Sequence, residues 1–211
     1  MDLDTPCIPL GHILTYFNIA QKPEVGMAAP LYGEDERAVQ LNKLMQVSMG
    51  LDHQDMFRRV GVNLAEGNIS ERFLTARQVL GLTDIAVQHM NMPYLGLFVG
   101  NIMTVSHHGL AGLTCVTQPT LRECSEMTAR LCRELFPPLE MSVHEADGLV
   151  WLAIDENISL APYTHYFMEL NSISFYNIVR DLVGRVPELE PVAVEFSYPE
   201  PEWGHIYRRY F

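Results

Sequence analysis

The sequence predicts an α+β fold, a mainly helical domain with a small antiparallel sheet. One observation is helical spacing, clearest over 121–135, where apolar residues recur every three or four positions. The other is strand-like alternation over about 139–154, interrupted by an Asp147-Gly148 turn that indicates a hairpin. Runs of helices beside a short hairpin are typical of the α+β class.

The first 35 residues are difficult to assign, because four prolines and scattered glycines interrupt any long element. We therefore predict an N-terminal extension over 1–35, with a short helix or strand at 13–20. The main domain is expected to cover 36–211, beginning with helices at 34–49 and 53–60.

Two further helices are expected before residue 105. Asn68 and Glu71 have the spacing of a capping box, which would open a helix that continues to about Met90. Pro93 suits the first turn of the next helix, which ends near residue 100. Gly96 and Gly100 lie one turn apart on it, a spacing that indicates close packing against another helix.

The second half contains the clearest boundaries. Thr120 and Glu123 form a T-x-x-E capping box at the start of the helix over 121–135. A long helix at 160–183 is apolar around most of its girth, which predicts a central helix or one used in a dimer. A strand is expected at about 192–197, followed by a final helix at 203–211.

Composition limits the function classes. The chain has 211 residues, of which 48% are hydrophobic and 19% charged, as in a globular protein. Its net charge of −12 argues against direct contact with nucleic acid. Acidic residues near the N-terminus do not suit a secretory signal, and the longest apolar run is too short to cross a bilayer. We expect a cytoplasmic protein with no membrane partner.

Catalytic and metal-binding motifs are not found in the sequence. The four cysteines lack C-x-x-C spacing, and neither a phosphate-binding loop nor H-E-x-x-H nor G-x-S-x-G occurs. We therefore expect no enzyme, no cofactor and no metal. The doublet His107-His108 has three interpretations, a structural role, contact with a ligand, and a metal site, of which the structural role is favoured.

Aromatic residues offer a second set of candidates. Tyr163 and Tyr166 are three residues apart on the predicted long helix, so they can form one aromatic wall with polar ends. The alternative, ordinary core packing, is favoured. Trp151 either lines a cavity or covers the sheet.

Residues 108–124, HGLAGLTCVTQPTLREC, resemble a signature of one branch of AraC-type transcription regulators, hGxxGxxxxxsPTLxxAL. The upstream stretch 92–100 is similar to the family element dPxlGLxxG, and the ending from 192 to 211 is similar to V.F.xPxPxxxxxYxxxF. Cys124 stands where alanine is usual. The resemblance covers roughly 38–211.

The resemblance implies the amino-terminal, arabinose-binding-type domain of a bacterial regulator, which senses a small effector and dimerises. Family members continue into a helix-turn-helix DNA-binding domain, which we expect beyond this chain, so DNA contact is expected only through that domain. The family name does not imply arabinose as the ligand. The alternative is a ligand-free module for protein–protein interaction or dimerisation.

From chemistry alone, we expect a mostly apolar effector pocket between the segment 106–131 and the face formed by Tyr163 and Phe167. The candidate effector contacts are His107, His108, Trp151, Tyr163, Tyr166 and Phe167. The candidate homodimer contacts are Leu170, Ile173 and Tyr176.

Overall fold

The computed structural model describes residues 2–21, 52–103, 105–183 and 193–211, and the predicted helix at 34–49 lies outside them. The fold is α+β and mainly helical, as predicted. The strands are β1 (Pro6–Pro9), β2 (Phe73–Thr75), β3 (Leu139–Ala146) and β4 (Leu149–Glu156). The helices are α1 (Leu10–Gln21), α2 (His53–Arg59), α3 (Ala76–Met90), α4 (Leu95–Ile102), α5 (Gly109–Val116), α6 (Leu121–Leu135) and α7 (Thr164–Val183). Short 3₁₀ helices cover Ile69–Glu71, Val105–His108 and Gly204–Arg209.

The N-terminal segment contributes to the core. β1 pairs antiparallel with β2, and the side chains of Ile8 and Leu10 are fully buried among residues of α2 and α3. Part of the predicted extension thus supplies β1 and α1 to this domain. The predicted boundary at residue 35 lies outside the described residues and stays a prediction.

The helix expected from Asn68 begins later than its capping box indicates. Asn68 caps only the 3₁₀ turn, after which the backbone becomes extended at Arg72 and enters β2. The capping box of α3 is formed instead by Thr75 and Gln78, whose side chains each bond the other residue's backbone N–H. Pairing with β1 explains the difference, because it holds 73–75 extended.

The close packing predicted from Gly96 and Gly100 is confirmed between α4 and α7. A Cβ at residue 96 would lie within 3.0 Å of the Tyr166 carbonyl oxygen, and one at residue 100 equally close to the Leu170 carbonyl. Deeper in this interface the amide of Asn177 donates to the side-chain oxygen of Asn101 at 3.0 Å. The two helix backbones approach closely because these positions carry no side chain.

The predicted α6 and hairpin are confirmed. The Thr120 hydroxyl oxygen accepts from the Glu123 N–H at 3.2 Å and also donates to the Glu123 carboxylate. β3 and β4 pair in register from Leu139 opposite Glu156 to the turn. Asp147 and Gly148 both have positive φ, 54° and 78°, as a type I′ turn requires.

The strand expected at 192–197 is wrong for its described part, because residues 193–197 form no strand. Instead of pairing, the Phe196 ring stacks on Tyr198 at 5.0 Å and lies 5.2 Å from Tyr207. The final helix is a 3₁₀ helix that begins at Gly204, after Pro199 and Pro201. Phe196 of this alternating stretch thus packs against aromatic side chains rather than beside a partner strand, of which there is none among the described residues.

A cavity between the helices

A cavity of about 200 Å³ lies between the helices. Its walls come from α1, α2, α3, α4, the 105–108 turn, α5, α6, β3 and α7. It therefore lies between the segment 106–131 and the α7 face that contains Phe167, where the sequence places a pocket. Its mostly apolar lining with a few polar groups suits a small organic molecule.

Two histidines and a tyrosine form one polar end of the cavity. The rings of His12 on α1 and His108 on the 3₁₀ turn have centroids 6.4 Å apart. His12 Nε2 lies 3.3 Å from the Tyr16 hydroxyl, one turn further along α1. His108 Nε2 is buried and has no hydrogen-bond partner among the described residues.

Burial sets the charge state of this polar end. It lowers the pKa of His12 to about 4, with a smaller contribution from neighbouring His108. It lowers the pKa of His108 to about 4 as well, with His107 as the smaller cause. Both imidazoles are therefore neutral at pH 7, and each offers one donor and one acceptor nitrogen.

The rest of the wall is mostly apolar and carries no formal charge. Among the described residues that line it there is no Asp, Glu, Lys or Arg. Burial raises the pKa of the Cys132 thiol to about 11, so this group is neutral too. The apolar lining includes Val79, Leu82, Met90, Leu95, Val99, Leu131, Leu135, Phe136, Leu170, Phe175 and Ile178.

Three of the six candidate effector contacts lie on this wall. These are His108, Tyr166 and Phe167. Burial raises the pKa of Tyr166, so its hydroxyl stays protonated. Whether these side chains contact an effector stays a prediction.

The other three candidates lie elsewhere. His107 is partly buried beside His108 and does not line the cavity. The Tyr163 hydroxyl donates to the Asp84 carboxylate outside it. Trp151, 46% exposed, lies on β4 opposite His144 in the hairpin. Sequence spacing could not place them, because the wall depends on which face of each element turns inward.

The dimer contacts proposed on α7 do not fit their burial. Leu170 is 5% exposed and lines the cavity, and Ile173 is 0% exposed beneath Gly100 of α4. Neither offers surface to a second copy. Tyr176 is partly exposed, and its ring packs 5.9 Å from Phe211 of the same chain. The apolar girth of α7 is explained by packing on several sides within the domain.

His12 and Tyr16 line the cavity but are not among the candidates that the sequence predicts, because both lie within the predicted N-terminal extension. Their spacing is the signal that could have indicated them, since residues four apart share one face of a helix and a helix or strand is predicted at 13–20. Within the described residues no group of three His, Cys, Asp or Glu could hold a metal ion.

A buried carboxylate lies on the other side of α7. Glu169 is 0% exposed, and its Oε1 accepts from the Trp203 indole and the Tyr207 hydroxyl, each at 2.7 Å. Burial raises its pKa, although both hydrogen bonds oppose the change. The His165 ring adds a contact at 4.1 Å from Tyr198. α7 thus separates the cavity from the C-terminal segment 193–211.

The family described as "Arabinose-binding domain of AraC transcription regulator, N-term" matches residues 50–211. The chain belongs to this family. The match confirms the resemblance seen at 108–124. The family is one of regulatory sensing domains rather than of enzymes.

One curated relative is also named as a regulator. The chain is 29% identical over 119 residues to the ornithine utilization regulator of Pseudomonas aeruginosa, covering 56% of this chain. The match spans 34% of that protein's length. Among the described helices none is both long and apolar enough to cross a membrane.

Proposed function

We propose that this domain senses a small, mostly apolar effector held in the central cavity, and thereby regulates an AraC-type transcription regulator. The observation that carries the proposal is a cavity with a mostly apolar lining, no formal charge among the described residues that line it, and one polar end. Its apolar walls supply affinity by removing ligand surface from water, and the few polar groups supply orientation.

The charge of the cavity restricts the effector. Burying an ammonium or carboxylate group without an opposite charge or several hydrogen bonds is costly. The relative is named for ornithine utilization, and an amino acid of that kind carries several charges. The described walls of this cavity offer none in return, so we expect an effector of different chemistry here.

α7 provides a route from the cavity to the C-terminal segment. Phe167 and Leu170 face the cavity, and Glu169 between them bonds Trp203 and Tyr207. A ligand can shift the arrangement of α7 only if it binds one arrangement more tightly than another. We propose that such a shift modulates DNA binding by a helix-turn-helix domain outside this chain, in the bacterial cytoplasm.

A thermal-shift screen tests the sensing function. The library should contain neutral amphipathic compounds, such as alcohols, ketones and lactones, beside amino acids, sugars and organic acids. A ligand at about 100 times its Kd stabilises the native domain by about 2.7 kcal/mol. We expect stabilisation to be concentrated among the neutral amphipathic compounds.

Two matched variants locate the binding. Ala86→Phe places a ring in the cavity, which Ala86 lines, and should abolish the shift. Ala65→Phe adds the same ring at an exposed position away from the cavity and should preserve it. A shift that persists in Ala86→Phe, or a library without any stabilising compound, would count against the cavity as the sensing site.

Association with a second copy is the alternative that one observation favours. Leu110 is 83% and Leu113 54% exposed, and they lie three residues apart on one face of α5. Sedimentation velocity of the wild type and of Leu113→Lys tests self-association. A dimeric wild type together with a folded, monomeric Leu113→Lys variant supports an interface on α5. A monomeric wild type contradicts this alternative.

A further inference from the structure

We propose that the effector carries one neutral oxygen-bearing head group, a hydroxyl or a carbonyl, which hydrogen-bonds where His12, Tyr16 and His108 meet. The inference rests on the proposed sensing function and assigns a chemical class and an orientation to its ligand. The head group lies at the polar end, and the apolar remainder extends along α6 and α7.

The geometry leaves an open hydrogen-bonding position at this end. The His12 and His108 rings, 6.4 Å apart between centroids, make no direct hydrogen bond with each other. Hydrogen bonds to an oxygen extend about 2.8 Å, so one oxygen can reach a nitrogen on each ring. His108 Nε2 is already buried, with no partner in the described part of the chain.

The His12 and His108 imidazoles can form hydrogen bonds with either a hydroxyl or a carbonyl group. A neutral imidazole donates from one nitrogen and accepts at the other, and the tautomer follows its surroundings. If Tyr16 donates to His12 Nε2 across their 3.3 Å contact, His12 must donate from Nδ1. His108 Nε2 can then accept from a hydroxyl, or donate to a carbonyl in its other tautomer.

Surrounding groups argue for a neutral head rather than an ionised one. The titratable groups near the pair are His107 beside His108, and Tyr166 and Cys132 beside Tyr16. None of these supplies a positive charge at pH 7, because burial disfavours the charged forms of His107, Tyr166 and Cys132 alike. A carboxylate would have no cation to pair with, and an ammonium would have no anion.

The lining contributed by α6 and α7 is mainly apolar and includes Leu131, Leu135, Leu170 and Ile178. Thr128, Asn171 and Ser174 line the cavity on the same two helices. The Thr128 hydroxyl and the Asn171 amide already donate to backbone carbonyls of their own helices. A second polar group placed among the leucines would lose its bonds to water, so we expect the oxygen toward α1 and the chain along α6 and α7.

Calorimetric titration at pH 7 with probes of equal chain length tests the inference. The probes are 1-octanol, 2-octanone, octanoate and octylammonium, with toluene as an apolar probe without a head group. We expect 1-octanol and 2-octanone to bind at least about tenfold more tightly than both charged probes, because a buried charge without a partner is disfavoured.

Variants then identify the head-group contact. His108→Leu and His12→Leu should each weaken 1-octanol binding about tenfold, the effect of losing about one buried hydrogen bond, and should leave toluene binding unchanged. Tyr16→Phe is a milder variant that removes only the hydroxyl. His89→Leu is the matched control, since His89 is exposed and does not line the cavity.

The outcomes are distinguishable. If neither toluene nor 1-octanol binds the wild type, the cavity is not an apolar ligand site and the proposed function fails with the inference. If toluene binds but the histidine variants bind 1-octanol as tightly as the wild type, only the head-group assignment is wrong. Octanoate as the tightest probe would overturn the neutral head group.

Discussion

At the residue scale, the buried His12 and His108 make the stability of the domain depend on pH. Both are neutral when folded, with pKa values of about 4, whereas a histidine in the unfolded chain titrates near 6.5. Between these values the unfolded chain binds more protons than the native one, so stability falls as the pH decreases from about 6.5 to about 4.

We predict that His108→Leu flattens this acid dependence. Above pH 7 the pKa difference contributes nothing, and toward pH 4 it costs the wild type about 2–3 kcal/mol per histidine. Urea denaturation at several pH values between 4.5 and 7.5 measures the slope. His89→Leu, at an exposed histidine, is the control that should keep the wild-type slope. Equal slopes in His108→Leu and the wild type would contradict the burial of this ring.

At the element scale, α7 is held between α4 on one side and the C-terminal segment on another. The sequence predicted that α4 packs closely against another helix, because a G-x-x-x-G spacing removes side chains from one helix face, but it did not identify α7 as that helix. It did not predict the other contact, since nothing in local spacing shows that Glu169 meets Trp203 some 34 positions later. Helix spacing reports which face is apolar, but it does not report what covers a polar residue on that helix.

We predict that Gly96→Ala destabilises the domain by about 1–3 kcal/mol, because the added methyl group would overlap the Tyr166 backbone. Gly11→Ala is the matched control on α1, where an added Cβ meets nothing within 4 Å. It should instead be stabilising by up to about 1 kcal/mol through helix propensity. Thermal or urea unfolding compares the two, and equal effects would contradict the close approach of α4 and α7.

A buried carboxylate makes the C-terminal contact depend on pH. Burial raises the pKa of Glu169 above its ordinary value of 4.5. The native state therefore retains the proton longer than the unfolded chain, and stability is lost as pH rises from 4.5 through the raised pKa.

Glu169→Gln is expected to remove this loss while keeping an oxygen acceptor for Trp203 and Tyr207. Its stability relative to the wild type should therefore increase between pH 5 and pH 8, as measured by urea denaturation. A relative stability that stays constant or decreases over this range would show that the carboxylate ionises as easily in the native domain as in the unfolded chain.

At the scale of the whole domain, the location and the mostly apolar character of the cavity were predictable, but several of its lining residues were not. The signature at 108–124 and the aromatic residues of α7 indicated two parts of its wall. Another part comes from α1, whose His12 and Tyr16 lie about a hundred residues from His108. Only the packing of α1 beside the 105–108 turn brings them together, and local sequence patterns contain no information on contacts so distant.

Sensing requires that ligand binding in the cavity changes the structure around the C-terminal segment. The fluorescence of Trp203 can detect such a change. Trp151→Phe leaves Trp203 as the single tryptophan of the chain. Its indole donates to Glu169, on the helix that lines the cavity. We predict that saturating 1-octanol shifts the Trp203 emission in this background, and that adding Ala86→Phe abolishes both binding and shift. Calorimetric binding of 1-octanol with an unchanged Trp203 emission would contradict sensing through α7.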